Sequence, residues 1–166
     1  MCIRDSPQTA FHLIEMEGVT TSALVPPLAQ AWVASAEKRG VSLPSLQTLQ
    51  VGGSKLAPAV AGKIESVLGC TVQQVFGMAE GLVNYTRSTD PIEMRLRTQG
   101  YPISPDDEIL IVDDQDQPVK RGESGHLLTR GPYTIRGYYL EENANRYGFT
   151  EDGFYLSLIH ISEPTR

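Results

Sequence analysis

Residues 49–55 read Leu-Gln-Val-Gly-Gly-Ser-Lys, and residues 73–86 read Gln-Gln-Val-Phe-Gly-Met-Ala-Glu-Gly-Leu-Val-Asn-Tyr-Thr. Each stretch begins as a short strand and reaches a glycine at the strand end, and an amphipathic helix is predicted between them over Ala57–Leu68. The two strand ends lie about 25 residues apart, a spacing that predicts one strand–helix–strand unit of parallel sheet. Such a unit brings both strand ends to one edge of the sheet, where α/β proteins bind ligands.

Strand and helix patterns alternate along the first half of the chain. This alternation predicts a right-handed βαβ series with a parallel sheet. The predicted strands are Thr20–Val25, Leu46–Val51 and Thr71–Phe76, and the predicted helices are Gln8–Glu17, Leu28–Arg39 and Ala57–Leu68.

The pattern changes after Thr86. Ile109–Val112 and His126–Thr129 flank an Asp-rich turn, which predicts an antiparallel hairpin, and Glu141–Arg146 predicts a short helix. We therefore expect an α/β fold in which residues 7–94 form an α/β subdomain with the ligand site. Residues 95–155 are expected to form a smaller, β-rich subdomain.

Composition excludes several classes of protein. The chain has 166 residues and a net charge of −6, with no basic stripe for nucleic acid. No apolar run reaches the length of a membrane-spanning helix, and no signal peptide is visible. With Cys2 and Cys70 as the only cysteines, a disulfide framework is excluded and a cytoplasmic protein is expected. Cys70 is expected to be a small core residue.

The residues at the predicted sheet edge suit a nucleotide. Gly52 and Gly53 allow a flat ligand to approach the backbone, and Phe76 offers a ring face for stacking. Glu80 offers a carboxylate, the kind of ligand that Mg²⁺ prefers. The two glycines could equally form a tight turn, Phe76 could be a core aromatic, and Glu80 could be a solvated carboxylate. The residues alone leave these alternatives open.

Several ordered stretches resemble the adenylate-forming enzymes, which include acyl- and aryl-CoA synthetases, luciferases and the adenylation domains of non-ribosomal peptide synthesis. Within this superfamily the chain is most similar to the aryl-acid AMP ligases of siderophore assembly that activate 2,3-dihydroxybenzoate. The resemblance is collinear from Pro7 to Tyr155. Its main motifs are residues 24–27, 50–53, 73–86, 98–102, 104–108, 128–134, 136–139 and 153–155.

The resemblance implies a part of the large N-terminal domain of such an enzyme, with ATP and Mg²⁺ as cofactors. It implies that Phe76 packs on adenine, that the Gln74 amide reads the adenine edge, and that Glu80 is the Mg²⁺ ligand. Ala79 stands where many members carry a threonine that bonds phosphate. The implied ATP-binding residues are Gly53, Gln74, Val75, Phe76, Gly77, Ala79 and Glu80, and the implied substrate-binding residues are Gln50, Gly52, Gly53, Val75, Val83 and Asn84.

The implied reaction is the attack of an aryl carboxylate on the α-phosphate of ATP, followed by transfer of the aryl group to the phosphopantetheine thiol of an aryl carrier protein. Val83 favours 2,3-dihydroxybenzoate over salicylate, because salicylate ligases tend to carry a larger residue there. Salicylate, transfer to CoA, and a non-catalytic nucleotide-binding domain remain the alternatives. No residue of this chain is expected to be catalytic in the sense of a nucleophile.

The two ends are interpreted as translated sequencing-adapter DNA. Residues 1–6 and 156–166 fall outside the resemblance, and the family pattern after Tyr155 would place an aspartate where the chain has Ile159. In relatives, the phosphate loop lies upstream and the catalytic lysine lies downstream of the matched region. We therefore expect the 166-residue chain to be inactive and unstable when it is expressed alone.

Overall fold

The computed structural model describes residues 6–162, and their side chains as far as Ser157. The described residues form two compact units. The first contains residues 6–77 and 84–101, and the second contains residues 78–83 and 102–162. The chain thus passes between the units near residues 77, 83 and 101, whereas the sequence pattern alone predicts one division near residue 95.

The first unit is built mainly from alternating helices and strands. Ser6 begins the first helix by accepting a hydrogen bond from the Thr9 amide, and Gly18 and Gly40 end the first two helices with left-handed backbone. The elements up to residue 102 are α1 (Pro7–Glu17), β1 (Thr21–Leu24), α2 (Pro26–Arg39), β2 (Thr48–Val51), α3 (Pro58–Lys63), β3 (Thr71–Met78), β4 (Leu82–Tyr85), α4 (Ile92–Arg97) and β5 (Tyr101–Pro102).

The five strands form one sheet in the order β1-β2-β3-β4-β5. Strands β1, β2 and β3 are parallel, and their register pairs Ala23 with Gln50 and Gln50 with Gln73. This confirms the predicted α/β fold with a parallel βαβ series. The carboxyl ends of the three parallel strands therefore meet at one edge of the sheet.

The third predicted helix has an irregular second half. Helix α3 ends at Lys63, and residues Ile64–Leu68 continue it as one wide π-helical turn. Ile64 and Leu68 in this turn are both buried in the core.

Strand β4 and helix α4 have no clear sequence signal. Helix α4 leaves Ile92 and Met94 exposed, so its apolar residues do not show the periodicity of a buried helix face. Strand β4 has only its first residue, Leu82, buried, so it shows no alternation of buried and exposed positions. Both were absent from the expected pattern for these reasons.

The second unit contains a three-stranded antiparallel sheet. Strands β6 (Glu108–Val112), β7 (Ser124–Arg130) and β8 (Tyr155–Ser162) lie in the order β6-β7-β8, and α5 (Glu142–Gly148) precedes β8. Buried Val112, Leu128 and Phe154 form a small core cluster. The predicted hairpin and short helix are confirmed, with slightly different bounds.

The expectation about the chain ends concerns residues that are only partly described. Residues 1–5 and 163–166 lie outside the described residues. Strand β8 continues through the first part of the segment 156–166 and pairs with β7. The adapter interpretation therefore stays a prediction about the source DNA.

Helices within residues 6–162 are too short or too polar to cross a lipid bilayer.

The main hydrophobic core lies in the first unit. Leu49 of β2 is fully buried, and Phe11 packs edge-on against Trp32 with ring centroids 5.3 Å apart. The Cys70 thiol belongs to this core, and burial raises its pKa from 9.0 to about 11. The thiol is therefore protonated at neutral pH, as expected for a core cysteine.

Replacing Leu49 with alanine is expected to lower the free energy of unfolding by about 2–5 kcal/mol, because it leaves a cavity beneath the sheet. Leu13, whose side chain is 39% exposed, provides the matched control, and Leu13→Ala should cost much less. Because the isolated chain is expected to be unstable, the two variants are compared within a longer protein that supplies the missing surroundings, by urea unfolding followed with far-ultraviolet circular dichroism. Equal losses for the two variants would contradict the described core.

Candidate functional site

Two glycines shape the turn that follows β2. Gly53 has a φ of +86°, a backbone conformation that other residues adopt only with strain. A Cβ atom on Gly52 would lie 3.2 Å from both the Cβ and the carbonyl oxygen of Val75. The end of β2 therefore approaches β3 so closely that a side chain at Gly52 would press against Val75.

A cavity of about 440 Å³ opens at this edge of the sheet. Its volume falls within the range of roughly 300–1,000 Å³ that is typical of small-molecule sites. It brings together four of the predicted substrate residues, and only Gln50 among its lining residues has a polar side chain. The lining residues are Ala23, Leu24, Val25, Leu28, Gln50, Gly52, Gly53 and Val75.

One wall of the cavity comes from residues that have no predicted role. Val25 and Leu28 contribute from the end of β1 and the start of α2. The parallel register places the end of β1 beside that of β2, which is a non-local consequence of the topology. The motif at residues 24–27 was part of the family resemblance, and this was the only signal that pointed to this wall.

Gln50 is braced across the sheet. Its Nε2 donates a 2.8 Å hydrogen bond to Oε1 of Gln73, and Nε2 of Gln73 donates a 2.9 Å bond to the Thr86 carbonyl. Gln50 Oε1 takes no part in this relay. The amide of Gln50 is thus held in one orientation while the residue borders the cavity.

Gln74 has a structural role, which corrects one expectation. The residue is fully buried, its Oε1 accepts from the Leu56 amide at 3.3 Å, and its Nε2 donates to the Arg95 carbonyl at 2.9 Å. Its backbone amide donates to Oγ1 of Thr86. Because its side-chain amide is buried and bonded at both ends, it is not available to read an adenine edge.

The remaining predicted adenine and phosphate residues follow along β3 and the next turn. Phe76 is half-buried, so part of its surface remains accessible for stacking. Gly77 and Ala79 are exposed. Ala79 has no hydroxyl, so any contact that it makes with a phosphate must come from its backbone.

Glu80 belongs to the second unit and is half-buried. Its Oε1 accepts a 2.9 Å hydrogen bond from the Tyr138 hydroxyl, which lies 3.1 Å from the Tyr155 hydroxyl. The bond with Tyr155, together with burial and the contact with Glu80, raises the pKa of Tyr138. Tyr138 therefore stays protonated and donates to the carboxylate at any ordinary pH.

The surroundings of Glu80 fit Mg²⁺ better than a metal held by protein alone. Across residues 6–162 there is no group of three or more His, Cys, Asp or Glu side chains that could form a metal cage. Mg²⁺ is typically held by one or two carboxylates together with substrate phosphates. A single partly accessible carboxylate is therefore a suitable protein contribution to a nucleotide-bound magnesium ion.

Val83 and Asn84 lie on either side of the boundary between the units. In the second unit, the Val83 amide donates to the Tyr133 hydroxyl, which donates to Oδ2 of Asp107 at 2.6 Å. Burial, followed by the bond to Asp107, raises the pKa of Tyr133. In the first unit, Oδ1 of Asn84 is buried without a hydrogen-bond partner among the described residues. Asn84 is not one of the cavity-lining residues, so its predicted pocket role stays a prediction.

The fold is that of the N-terminal domain of the adenylate-forming enzymes. An apo structure of MbtA from Mycobacterium smegmatis superposes with a TM-score of 0.86 and 49% sequence identity, over 94% of this chain and 28% of that chain. The sequence profile of the AMP-binding enzymes matches residues 1–139. The chain belongs to the AMP-binding enzyme family.

Two curated relatives are informative about this family's chemistry. A 2,3-dihydroxybenzoate-AMP ligase of Bacillus subtilis is 61% identical over 150 residues, which cover 90% of this chain. A salicylyl-CoA synthase/salicylate adenylyltransferase of a Streptomyces species is 55% identical over 150 residues, also 90% of this chain. The matched region spans only 28% and 27% of the lengths of these two relatives.

Replacing Gln74 with leucine is expected to destabilise the chain, because it leaves the Leu56 amide and the Arg95 carbonyl without their buried partner. Each orphaned group costs about 1–3 kcal/mol. Gln47→Leu, at an exposed position just before β2, is the control and should change the free energy of unfolding by about 0.5 kcal/mol or less. Urea titration measures the free energy of unfolding of both variants. An unchanged value for Gln74→Leu would show that the buried amide does not stabilise the fold.

Proposed function

We propose that this chain forms the aryl-acid and adenine side of the active site of an ATP-dependent aryl-acid ligase, and that its preferred acid is 2,3-dihydroxybenzoate. The observation that carries the proposal is the cavity of about 440 Å³ framed by Gln50, Gly52, Gly53 and Val75. The proposal is also supported by the 61% sequence identity of the chain to a 2,3-dihydroxybenzoate-AMP ligase.

Some cavity residues are proposed to fit the shape of a flat acid, and one is proposed to bond its polar groups. Gly52 and Val75 border an apolar space that suits the faces of an aromatic ring. Gln50 supplies the polar side chain of the lining, held in place by its bond to Gln73. This amide is suited to a hydroxyl substituent of the ring. Val83 and Asn84 are proposed to complete the substrate pocket, as the family pattern implies.

Nucleotide binding is proposed to follow the same edge of the sheet. Gly53 lets the backbone approach the adenosine without a side chain in the way. Phe76 and the backbone of Val75, Gly77 and Ala79 are proposed to contact the adenine and the phosphates. Glu80 is proposed to hold Mg²⁺, which supplies neutralisation of the phosphate charge when it is bound.

The reaction is the attack of the aryl carboxylate on the α-phosphate of ATP, which forms an aryl-adenylate and releases pyrophosphate. The residues of this chain orient the two substrates and require no side-chain nucleophile. The aryl group is then proposed to pass to the phosphopantetheine thiol of an aryl carrier protein in cytoplasmic siderophore assembly. CoA is the alternative acceptor, which the name of the Streptomyces relative favours.

A chimeric enzyme tests this proposal directly. Residues 7–155 of this chain replace the aligned segment of the Bacillus subtilis 2,3-dihydroxybenzoate-AMP ligase, whose own sequence supplies the rest of the enzyme. The chimera is expected to catalyse ATP–pyrophosphate exchange with 2,3-dihydroxybenzoate and to show a lower kcat/KM with salicylate. A folded chimera that exchanges with neither acid, while the parent ligase does, would reject the proposal. A preference for salicylate would replace the proposed acid by the alternative.

Val83→Leu in the chimera is expected to shift the preference from 2,3-dihydroxybenzoate towards salicylate. The larger side chain fills space that the 3-hydroxyl group would need, and one methylene group in a pocket changes discrimination by roughly 10–200-fold. The ratio of kcat/KM for the two acids measures this shift. Val60→Leu, in helix α3, is a control of the same size change and should leave the ratio unchanged. An unchanged ratio for Val83→Leu would remove Val83 from the pocket.

A further inference from the structure

Two segments of the second unit are tied together along their length. Segment 131–138 donates to the carbonyl oxygens of segment 80–83, from the Ile135 amide to Glu80 at 2.8 Å and from Oγ1 of Thr134 to Gly81 at 3.3 Å. The Val83 amide donates in return to the Tyr133 hydroxyl. A Cβ atom on Gly81 would overlap the backbone of Thr134, so the two segments meet backbone to backbone. The backbone that carries Glu80 is therefore fixed.

The side chain of Glu80 is fixed by the last residue of the same segment. The Tyr138 hydroxyl donates to Oε1 of Glu80 at 2.9 Å. Tyr138 has one hydroxyl proton, which the Glu80 carboxylate accepts, and the Tyr155 hydroxyl lies 3.1 Å from the Tyr138 hydroxyl. Tyr138 is thus the donor to the carboxylate, and Tyr155 contacts that donor.

The Tyr138 ring is itself held from several sides. Its backbone amide donates to Oδ1 of Asn145 at 2.6 Å, and Nδ2 of Asn145 returns a 2.9 Å bond to the Tyr138 carbonyl. The ring makes edge contacts with Phe149 and Tyr155, with centroids 6.0 and 6.5 Å apart. A donor held this firmly restricts the carboxylate that it contacts more than a flexible surface side chain would.

The partner of Glu80 is a neutral donor, and this distinction matters for a cation. None of the ion pairs among the described residues involves Glu80. A lysine or arginine partner would offset the negative charge, whereas a tyrosine hydroxyl orients one oxygen and leaves the charge on the carboxylate. The second oxygen, Oε2, has no hydrogen bond from residues 6–157 and remains available to a hard cation.

We propose that Tyr138, supported by Tyr155, is a positioning residue that holds the Glu80 carboxylate in the orientation that binds the divalent cation. This inference rests on the proposed function, because it takes Glu80 as the protein ligand of the nucleotide-bound metal. Hydrogen bonds from the surroundings of a metal site orient its ligands, and their removal typically weakens metal affinity by roughly 10–100-fold.

The test compares two adjacent tyrosines in the chimera. Tyr138→Phe removes one hydroxyl and keeps the ring, and Tyr139→Phe makes the same change at a side chain that is 89% exposed. The probe is Mn²⁺, titrated by electron paramagnetic resonance in the presence of α,β-methylene-ATP, which the enzyme cannot cleave. Tyr138→Phe is expected to raise the Mn²⁺ dissociation constant by roughly 10-fold or more. Tyr139→Phe is expected to leave it unchanged.

Two further variants separate a positioning role from a merely structural one. In a Glu80→Gln background, Tyr138→Phe should have no additional effect on Mn²⁺ affinity, because the hydroxyl acts through the carboxylate. Tyr155→Phe should give a smaller rise than Tyr138→Phe, and it carries the test if Tyr138→Phe does not fold. A lower melting temperature with unchanged Mn²⁺ affinity would overturn the inference.

The failure of this inference is distinguishable from failure of the proposed function. If the unmodified chimera exchanges pyrophosphate but Tyr138→Phe binds Mn²⁺ normally, only the role of Tyr138 is wrong. If the folded, unmodified chimera supports no exchange with either aryl acid, the proposed function is wrong, and the assignment of Glu80 that the inference requires falls with it.

Discussion

The buried amide of Gln74 is the interaction on which the rest of the first unit depends. It connects β3 to the loop after β2 through the Leu56 amide, and to helix α4 through the Arg95 carbonyl. A fully buried amide is costly unless both of its ends are bonded, so the two attached segments are fixed relative to β3. The glycine turn at the end of β2 precedes one of these segments directly. The cavity at the sheet edge is therefore framed by backbone whose position is set from within the core.

The close approach of Gly52 to Val75 adds a second constraint at the same place. The absence of a side chain on Gly52 brings the ends of β2 and β3 together, and the positive φ of Gly53 turns the chain away from the sheet. Gln50, near the end of β2, is oriented by a hydrogen bond to Gln73 on the neighbouring strand. Packing and hydrogen bonding thus place an apolar surface and one oriented amide side by side at the cavity.

Much of the fold could be predicted from the sequence because its signals are local. Strand and helix periodicity predicted the parallel series, and the hairpin around Asp113–Pro118 was predicted from the strands that flank it. The short strand β4 and helix α4 were not, because neither shows a periodic buried face. The irregular π-helical turn at Ile64–Leu68 was also not predicted, because the periodicity that identifies a helix assumes regular α-helical geometry.

The site was only partly predictable, because its supporting contacts join residues that are distant in sequence. Gln50, Gly52, Gly53 and Val75 meet at one cavity as the sheet topology predicts. The expectation for Gln74 was wrong because an amide in a strand can face either the ligand or the core, and only the packing decides. Tyr138 and Glu80 are 58 residues apart in the sequence, so their contact could not be predicted from residue spacing.

The position of the aryl acid is tested most directly by a crystal structure of the chimera with α,β-methylene-ATP and 2,3-dihydroxybenzoate. We expect the aryl ring to lie in the cavity against Gly52 and Val75, with a ring hydroxyl bonded to Gln50. We also expect the Gln74 amide to remain buried and bonded to Leu56 and Arg95. An aryl ring bound elsewhere, or a Gln74 side chain turned to the adenine, would contradict the central claim that this sheet edge is the aryl-acid site.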